Sequence, residues 1–285
     1  MRALETDGTS LYIGGDFTGV GGTRRDMLAK VSLTSGAVDP TFHPTLNGAV
    51  RAIEVDGSSV YAGGGFTRVE NQPRQRVAKF SRSGVLDNQF HPSVNSRVVA
   101  LAKAPGQPRL YIGGRFDSVG GQGRVGVAGL DATTGALVGP GFIASARPTL
   151  GLEVNADGSR LYGAGGSRGP TGNTASAWNT SSGARIWHQR AMGDIQAIEF
   201  FEGVVYFGFH AGYKGDTAIK VVRVSAADGE VQSAFRPRFD RFWGVLAIDA
   251  SRRGVVVGGD FTQVSGVSAR NWARFLDPQS PPAEP

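Results

Sequence analysis

The stretch LYIGGDF at residues 11–17 decides the fold, because five further variants of it follow along the chain. Each variant has two or more apolar residues, then small residues, mostly a glycine pair. The variants are VYAGGGF (60–66), LYIGGRF (110–116), LYGAGGS (161–167), VYFGFHA (205–211) and VVVGGDF (255–261). Consecutive copies lie 44 to 51 residues apart. A fixed period of this length is the signature of a repeat architecture.

The second repeat shows how one copy is built. Residues 50–55, VRAIEV, alternate apolar and polar side chains as a half-buried strand does. Asp56 and Gly57 then supply a tight hairpin turn. Glycine weakens a strand interior, so the recurring pair predicts a close backbone approach or a bulge. Four strands are predicted in this copy, at residues 50–55, 59–66, 76–81 and 85–91.

The repeats predict an all-β fold. No segment of 12 or more residues carries helical periodicity with caps. One four-stranded antiparallel sheet cannot bury both faces alone, whereas radial stacking of such sheets does so. We therefore predict a six-bladed β-propeller with four antiparallel strands per blade and an incomplete last blade. A parallel β-solenoid is the alternative, but its repeats are shorter and lack antiparallel hairpins.

The predicted blades divide the chain into six repeats and a tail. Blade six has three strands from its own sequence, and we expect its missing outer strand to lie upstream in a longer parent chain. Repeats 1 to 6 are predicted at approximately residues 1–48, 49–96, 97–147, 148–193, 194–242 and 243–276, with a proline-rich tail or linker at 277–285.

Composition excludes several kinds of site. The chain has no cysteine, which excludes disulfides, thiolate catalysis and cysteine-bound metal. No apolar run is long enough to span a membrane, and the N-terminus lacks a signal-peptide pattern. The net charge is +6, which favours anionic partners. Nucleic acid is not expected, because the basic residues are dispersed and lack interleaved stacking aromatics.

The shared pattern LYIGGDFTxVGG…R…AxxxxxTGxxDxxFxP resembles the delta-type repeat propellers. Residues 11–43 match it almost throughout, residues 60–92 and 110–142 match well, and the later copies diverge. Such repeats occur in secreted and cell-surface bacterial proteins, and related ones in a fungal polarity-marker ectodomain. The resemblance implies an extracellular or cell-surface location and a place in a larger multidomain chain. It supplies no catalytic motif.

The long loops indicate which side of the fold binds a partner. Tight turns join strands one to two and three to four, whereas longer loops join the other strand ends on the opposite side. Binding residues concentrate on long loops held by a rigid scaffold. The long loops are TGVGGTRRD (18–26), TRVENQPRQ (67–75), SRGPTGNT (167–174), AGYKGDT (211–217) and RPRFDRFWG (236–244).

Arg25, Arg74 and Arg124 occupy one repeat position in these loops. We interpret them as structural residues that bridge neighbouring blades, with Asp16 or backbone carbonyls as partners. Direct contact with an anionic ligand is the alternative.

A candidate binding patch lies where repeat 5 departs from the pattern. His210 replaces a motif residue, and aromatic and arginine side chains, typical anchors of protein interfaces, cluster in the loop before repeat 6. The alternatives are drift in a degenerate repeat for His210, and a role for Phe242 and Trp243 in starting the last strand. The predicted patch comprises His210, Tyr213, Lys214, Arg238, Phe239, Arg241, Phe242 and Trp243.

Other chemistry finds little support in the sequence. His43, His91 and His188 share one position on separate blades, so we predict no metal site and no cofactor. Trp272 is predicted in the core and Trp178 partly exposed. We predict a non-catalytic recognition or scaffold module that binds protein or glycan. The alternative is a carbohydrate-active lyase or hydrolase with acidic residues, such as Asp16 and Asp260, at a central channel.

Overall fold

The computed structural model describes residues 1–143, 146–167 and 172–276, and these residues form antiparallel β-sheets without a helix. The chain divides into two compact units. The first comprises Met1–Phe142, Ala156–Gly158 and Thr180–Gly183, and the second contains the other described residues. The predicted tail at 277–285 and residues 168–171 of the predicted loop 167–174 lie outside the described residues.

The first unit contains repeats 1 to 3. In repeat 1 the strands are β1 (Ala3–Thr6), β2 (Ser10–Gly14), β3 (Gly19–Val20), β4 (Thr23–Arg24) and β5 (Leu28–Ser32). In repeat 2 they are β6 (Val50–Asp56), β7 (Ser59–Gly64), β8 (Arg68–Val69), β9 (Gln72–Pro73) and β10 (Val77–Ser81). In repeat 3 they are β11 (Val98–Ala102), β12 (Arg109–Gly114), β13 (Ser118–Val119), β14 (Gln122–Gly123), β15 (Val127–Asp131) and β16 (Leu137–Val138).

The second unit contains most of repeat 4 and all described residues of repeats 5 and 6. Repeat 4 has β17 (Thr149–Val154), β18 (Arg160–Gly165), β19 (Thr174–Asn179) and β20 (Arg185–Arg190). Repeat 5 has β21 (Ile195–Phe201), β22 (Val204–Phe209) and β23 (Val221–Ser225). Repeat 6 has β24 (Gly244–Ser251), β25 (Gly254–Asp260), β26 (Gln263–Val264), β27 (Val267–Ser268) and β28 (Trp272–Phe275).

The prediction of four strands in every repeat needs correction. Repeats 3 and 4 have a fourth strand, whereas a single bridge takes its place in repeats 1, 2 and 5, at Val31–Val38, Phe80–Leu86 and Val224–Val231. In repeat 1 the Asp39 carboxylate accepts hydrogen bonds from the backbone N–H groups of Thr41 and Phe42. This Asx turn bends the chain away after one bridge.

Small hairpins that were not predicted stand in the long loops between the second and third strands. They are β3–β4, β8–β9, β13–β14 and β26–β27. In repeat 2 both central turn residues have positive φ, 49° at Glu70 and 60° at Asn71. Two such residues define the type I′ turn, which suits the twist of a tight hairpin.

An aromatic pair joins the second strand of each of the first five repeats to its outer segment. The second-strand tyrosine packs against the aromatic residue of the outer landmark, mostly edge to face, a favourable geometry for two rings. The centroid distances are 5.4 Å for Tyr12–Phe42, 5.5 Å for Tyr61–Phe90, 6.1 Å for Tyr111–Phe142, 6.1 Å for Tyr162–Trp187 and 5.5 Å for Tyr206–Phe235.

The repeat arginines also hold the outer segments, each within its own repeat. Arg25 donates to the Asp39 carbonyl at 2.8 Å, Arg74 to the Asn88 side chain at 2.7 Å, and Arg124 to the Gly139 carbonyl at 3.4 Å. None of these bonds bridges two repeats. Backbone carbonyls, one of the two predicted kinds of partner, accept bonds from Arg25 and Arg124. Asp16, the other predicted partner, lies instead 3.5 Å from Arg2 and 4.0 Å from Arg51.

Candidate functional site

The junctions between repeats are built alike where a proline follows the outer aromatic. Each has an apolar residue that bridges to the small hairpin of the next repeat, followed by Asn or Asp. The apolar bridges are Leu46–Val69, Val94–Val119 and Phe239–Val264. The following side chain accepts hydrogen bonds from backbone N–H groups of that hairpin: Asn47 from Thr67 and Arg68, Asn95 from Asp117 and Ser118, and Asp240 from Thr262 and Gln263.

Phe239 therefore belongs to the core rather than to the predicted surface patch. Its side chain is 4% exposed and packs edge to face on Phe261, with ring centroids 5.0 Å apart. Asp240 beside it caps the hairpin, and its hydrogen bonds from Thr262 lower its pKa to about 2. Both residues hold repeat 6 to repeat 5.

The junction between repeats 5 and 6 carries a two-residue insertion. Asn47 and Asn95 precede Val50 and Val98 by three positions, whereas Asp240 precedes the equivalent Val245 by five. These valines are equivalent because each pairs with the second glycine of its motif: Val50 with Gly64, Val98 with Gly114 and Val245 with Gly259. The longer junction presents Phe242 and Trp243, which are 57% and 53% exposed.

Phe242, Trp243 and His210 form one aromatic cluster. The His210 ring centroid lies 5.3 Å from that of Phe242 and 5.4 Å from that of Trp243. The Gln196 amide nitrogen lies 2.8 Å from His210 Nδ1, and because an amide nitrogen only donates, Nδ1 accepts this bond. A Cβ on Gly193 would come within 2.5 Å of the His210 ring, so glycine is needed there.

The buried side chain of Lys220 packs against the Phe242 ring of the cluster. Its side chain is 2% exposed, and its ammonium group lies 5.7 Å from the centre of the Phe242 ring. Its stem packs against Gly244, where φ is +60° and a Cβ would lie 2.7 Å from Lys220 Cβ. Burial lowers the pKa of the Lys220 ammonium group. No sequence pattern marks this residue, because the equivalent positions of other repeats hold Met27, Arg76, Gly126 and Asn271.

A cavity of about 550 Å³ lies beside the cluster. Its wall includes Met192, Ala211, Thr217, Lys220, Arg241 and Phe242. Arg241 also lies 3.8 Å from the Asp240 carboxylate. The cavity wall also contains the Asp240 carboxylate, so its lining has two cationic side chains and one anionic one beside the Phe242 ring. The excess of positive charge favours a ligand that has a flat apolar face and a negative charge.

The structure separates the other predicted residues from this cluster. Tyr213 is 2% exposed, and its hydroxyl donates to the Gln189 side chain at 2.7 Å, so it is a core residue. Lys214 is exposed, and its ammonium group lies 5.3 Å from the Tyr213 ring centre. Arg238 is exposed but donates to both carboxylate oxygens of Asp216, at 2.6 and 3.2 Å. This pairing lowers the pKa of Asp216.

Acidic residues recur on the first strands, in addition to Asp16 and Asp260, on which the predicted enzyme alternative depends. They stand opposite the second-strand tyrosine position, at Glu5, Glu54, Glu153, Glu199 and Asp249. Burial, with the Glu5 and Asp56 charges, raises the pKa of Glu54 to about 8, against the attraction of Lys103. Within residues 1–143, 146–167 and 172–276, no three His, Asp or Glu side chains are grouped closely enough to hold a metal ion.

The Glu54 carboxyl predicts a pH dependence of stability. Its folded pKa of about 8 exceeds the ordinary value of 4.5, so the folded chain keeps a proton that the unfolded chain loses. The stability of the wild type therefore falls as pH rises from 4.5 to 8. We expect Glu54→Gln to remove this fall and to raise the unfolding free energy at pH 8.5 by roughly 2 kcal/mol, with little effect at pH 5.

Urea unfolding at the two pH values measures this difference. The exposed Glu230→Gln variant is the matched control and should follow the wild type. Parallel wild-type and Glu54→Gln profiles across this pH range would contradict the assignment.

Comparison with known proteins supports the fold. Residues 59–90 match the family model described as "Domain of unknown function (DUF5122) beta-propeller". No curated protein matches the chain. The described residues contain no helix of the length and hydropathy needed to cross a membrane.

Two solved structures resemble the chain at low sequence identity. The crystal structure of the computationally designed Ika8 protein has a TM-score of 0.60 and 15% identity, over 94% of this chain and 72% of that one. A chain in the crystal structure of the Mitotic Checkpoint Complex has a TM-score of 0.62 and 13% identity, over 99% of this chain and 81% of that one. These likenesses concern the fold alone. A β-propeller domain suggests a binding or scaffold module.

Proposed function

We propose that the chain is a non-catalytic recognition module that binds its ligand at the junction of repeats 5 and 6. The observation that carries the proposal is the two-residue insertion, which exposes Phe242 and Trp243 beside His210. The equivalent junctions between repeats 1 and 2 and between repeats 2 and 3 lack the insertion. Exposed aromatic side chains on a rigid support are typical anchors in binding surfaces.

The ligand that fits this surface carries a negative charge beside a flat apolar face. Lys220 and Arg241 supply the positive charge, and Phe242 and Trp243 supply the aromatic surface. Acidic oligosaccharides and acidic segments of proteins share this chemistry. The recognition module is better supported than the enzyme alternative, because the exposed rings and the cavity lie together, whereas the first-strand acids are distributed over repeats 1, 2, 4, 5 and 6.

The architecture proposed for this module is one blade for each of the six repeats. The recurring strand pairing and the recurring tyrosine–aromatic pairs support it. We further propose a secreted or cell-surface setting in a multidomain protein, on the resemblance of residues 11–43 to delta-type repeats.

A combined glycan and peptide array, with a pull-down, tests the site through Trp243→Ala. Trp243 is half exposed, so its removal should leave the fold intact. We expect the strongest wild-type ligand to bind the variant about tenfold or more weakly, since aromatic anchors contribute more than 1 kcal/mol each. The array separates glycan from peptide ligands.

Leu33→Ala provides a matched control, because Leu33 in repeat 1 is a similarly exposed apolar side chain that lies outside the cluster. It should bind as the wild type does. Equal binding by wild type and Trp243→Ala, or no binding by either, would remove the proposed site.

A further inference from the structure

The third strand of repeat 6 has an open edge. In repeats 3 and 4 a fourth strand pairs antiparallel with the third, as β16 does with β15 and β20 with β19. In repeat 6 the strand β28 pairs with β25 on one side, and no strand within the described part of the chain pairs with its other side. Such an edge is a template for another strand.

A largely apolar groove of about 890 Å³ runs along this edge. Its wall includes Phe235, Pro237, Val267, Trp272 and Phe275. Trp272 is 63% and Val267 68% exposed. In other repeats the Trp272 position holds apolar residues that are buried, namely Leu28, Val77, Val127 and Val221. Repeat 6 therefore exposes a surface that is buried in these other repeats.

The groove is also cationic, because its lining contains Arg236, Arg270 and Arg274 and no carboxylate. Pairing with the second strand puts Arg274 at the position of Lys30 and Lys79. Those two lysines lie 2.9 Å from the Asp39 carboxylate and 3.0 Å from the Asp87 carboxylate, both in the outer segment of their own repeat. Arg274 instead donates to the backbone carbonyl of Arg253.

Repeat 6 also lacks the arginine that fastens an outer segment. Ala269 stands at the position of Arg74, since its N–H bonds the Thr262 carbonyl as that of Arg74 bonds Thr67. Arg25, Arg74 and Arg124 each bind the outer segment of their own repeat. The fastening residue and the outer segment are thus missing together from the described part of repeat 6.

We propose that the β28 groove binds an extended segment of a partner protein with the pattern apolar–Asp–x–x–Phe, which pairs antiparallel with β28 over a short stretch, as Val38 does with Val31 in repeat 1. Repeats 1 and 2 contain this pattern, as VDPTF at 38–42 and LDNQF at 86–90. The apolar residue would cover Phe275, the aspartate would pair with Arg274, and the phenylalanine would pack near Trp272. Strand addition of this kind joins backbone hydrogen bonds to side-chain specificity.

A fluorescently labelled peptide with the sequence of residues 84–92, GVLDNQFHP, tests this proposal on the full chain. We expect saturable binding by anisotropy and about tenfold weaker binding after Arg274→Glu, the usual scale for reversing one partner of a charge pair. Arg252→Glu is the matched control, because Arg252 is exposed and pairs with Glu202. It should bind as the wild type does.

Exchange of the charges separates a direct contact from a general loss of structure. A peptide with Asp87→Lys should bind the wild type weakly and should recover affinity for the Arg274→Glu protein. The proposal is overturned if neither peptide binds or if both bind the wild type equally. It is also overturned if sedimentation shows the wild type self-associating through this edge and Arg274→Glu restoring the monomer, because a second copy would then be the occupant.

Discussion

Replacing Gly64 with alanine is expected to lower the unfolding free energy by about 3 kcal/mol or more, because a backbone clash cannot be relieved by rotating a side chain. A Cβ at Gly64 would lie 2.1 Å from the Ala49 carbonyl oxygen and 3.1 Å from its carbon. Both atoms belong to the chain entering the first strand of the same repeat. The first strand and the glycine pair must therefore separate before any side chain fits.

The adjacent Gly65 provides the control. A Cβ there meets only Arg97 Nε, at 3.8 Å, an ordinary contact. Gly65→Ala should leave stability within about 1 kcal/mol of the wild type, since alanine at an open site has only small backbone effects. Urea unfolding of the two variants gives the comparison. Equal stabilities would show that the second glycine does not mark a close approach.

This close approach recurs, which explains why the sequence repeats the glycine pair. A Cβ at Gly114 would lie 2.2 Å from the Arg97 carbonyl oxygen. The first strand also shifts register nearby, between Val50 and Ala52 and between Val98 and Ala100. The sequence predicted either a close approach or a bulge at the glycines, and the structure shows both.

The all-β fold and the order of strands could be predicted because period, turn residues and apolar alternation agree. The outer strands could not be predicted fully, since whether a fourth strand forms a ladder depends on local side-chain bonds. In repeat 1 the Asp39 carboxylate ends the pairing after one bridge by accepting the Thr41 N–H. Strand propensity alone does not account for a side chain that competes with the strand ladder for backbone hydrogen bonds.

The predicted burial of two tryptophans, Trp178 and Trp272, is wrong. The repeat pattern places Trp178 at the position of Lys30 and predicts that it is partly exposed, but Trp178 pairs with Leu161, one residue from that position. A slip of one residue moves a side chain to the opposite face of a strand. Trp178 is 2% exposed, and its indole N–H donates to the Ile143 carbonyl. Trp272 does lie at the position of the buried Leu28, as its predicted place in the core requires, but it is exposed because the described chain supplies nothing that covers it.

The candidate site could be predicted in part. Counting from Phe235 separates Phe239, which matches Leu46 and Val94, from the inserted Phe242 and Trp243. The predicted patch includes all three residues because it rests on the aromatic composition of the loop and not on the alignment of the loop with the other junctions. Tyr213 is also predicted in the patch but is buried against Phe207 and Phe209. Its burial depends on the path of the loop at 211–217, which the sequence pattern does not define. No sequence pattern predicts the role of Lys220, because that role depends on its contact with the inserted Phe242 ring.

Deleting Phe242 and Trp243 should abolish ligand binding while the fold persists. The shortened junction has the length found between repeats 1 and 2, three positions from the capping residue to the paired valine. Asp240 keeps its bonds to the small hairpin, and Val245 keeps its pairing with Gly259. We therefore expect Tm to change by only a few degrees, as for a surface change that costs under about 1 kcal/mol.

The binding of this shortened chain to the same glycan and peptide array, read beside its Tm, tests recognition through the inserted aromatic pair most directly. The account predicts a Tm close to that of the wild type together with loss of the strongest wild-type ligand. Retention of that ligand at wild-type strength by the folded, shortened chain would contradict it.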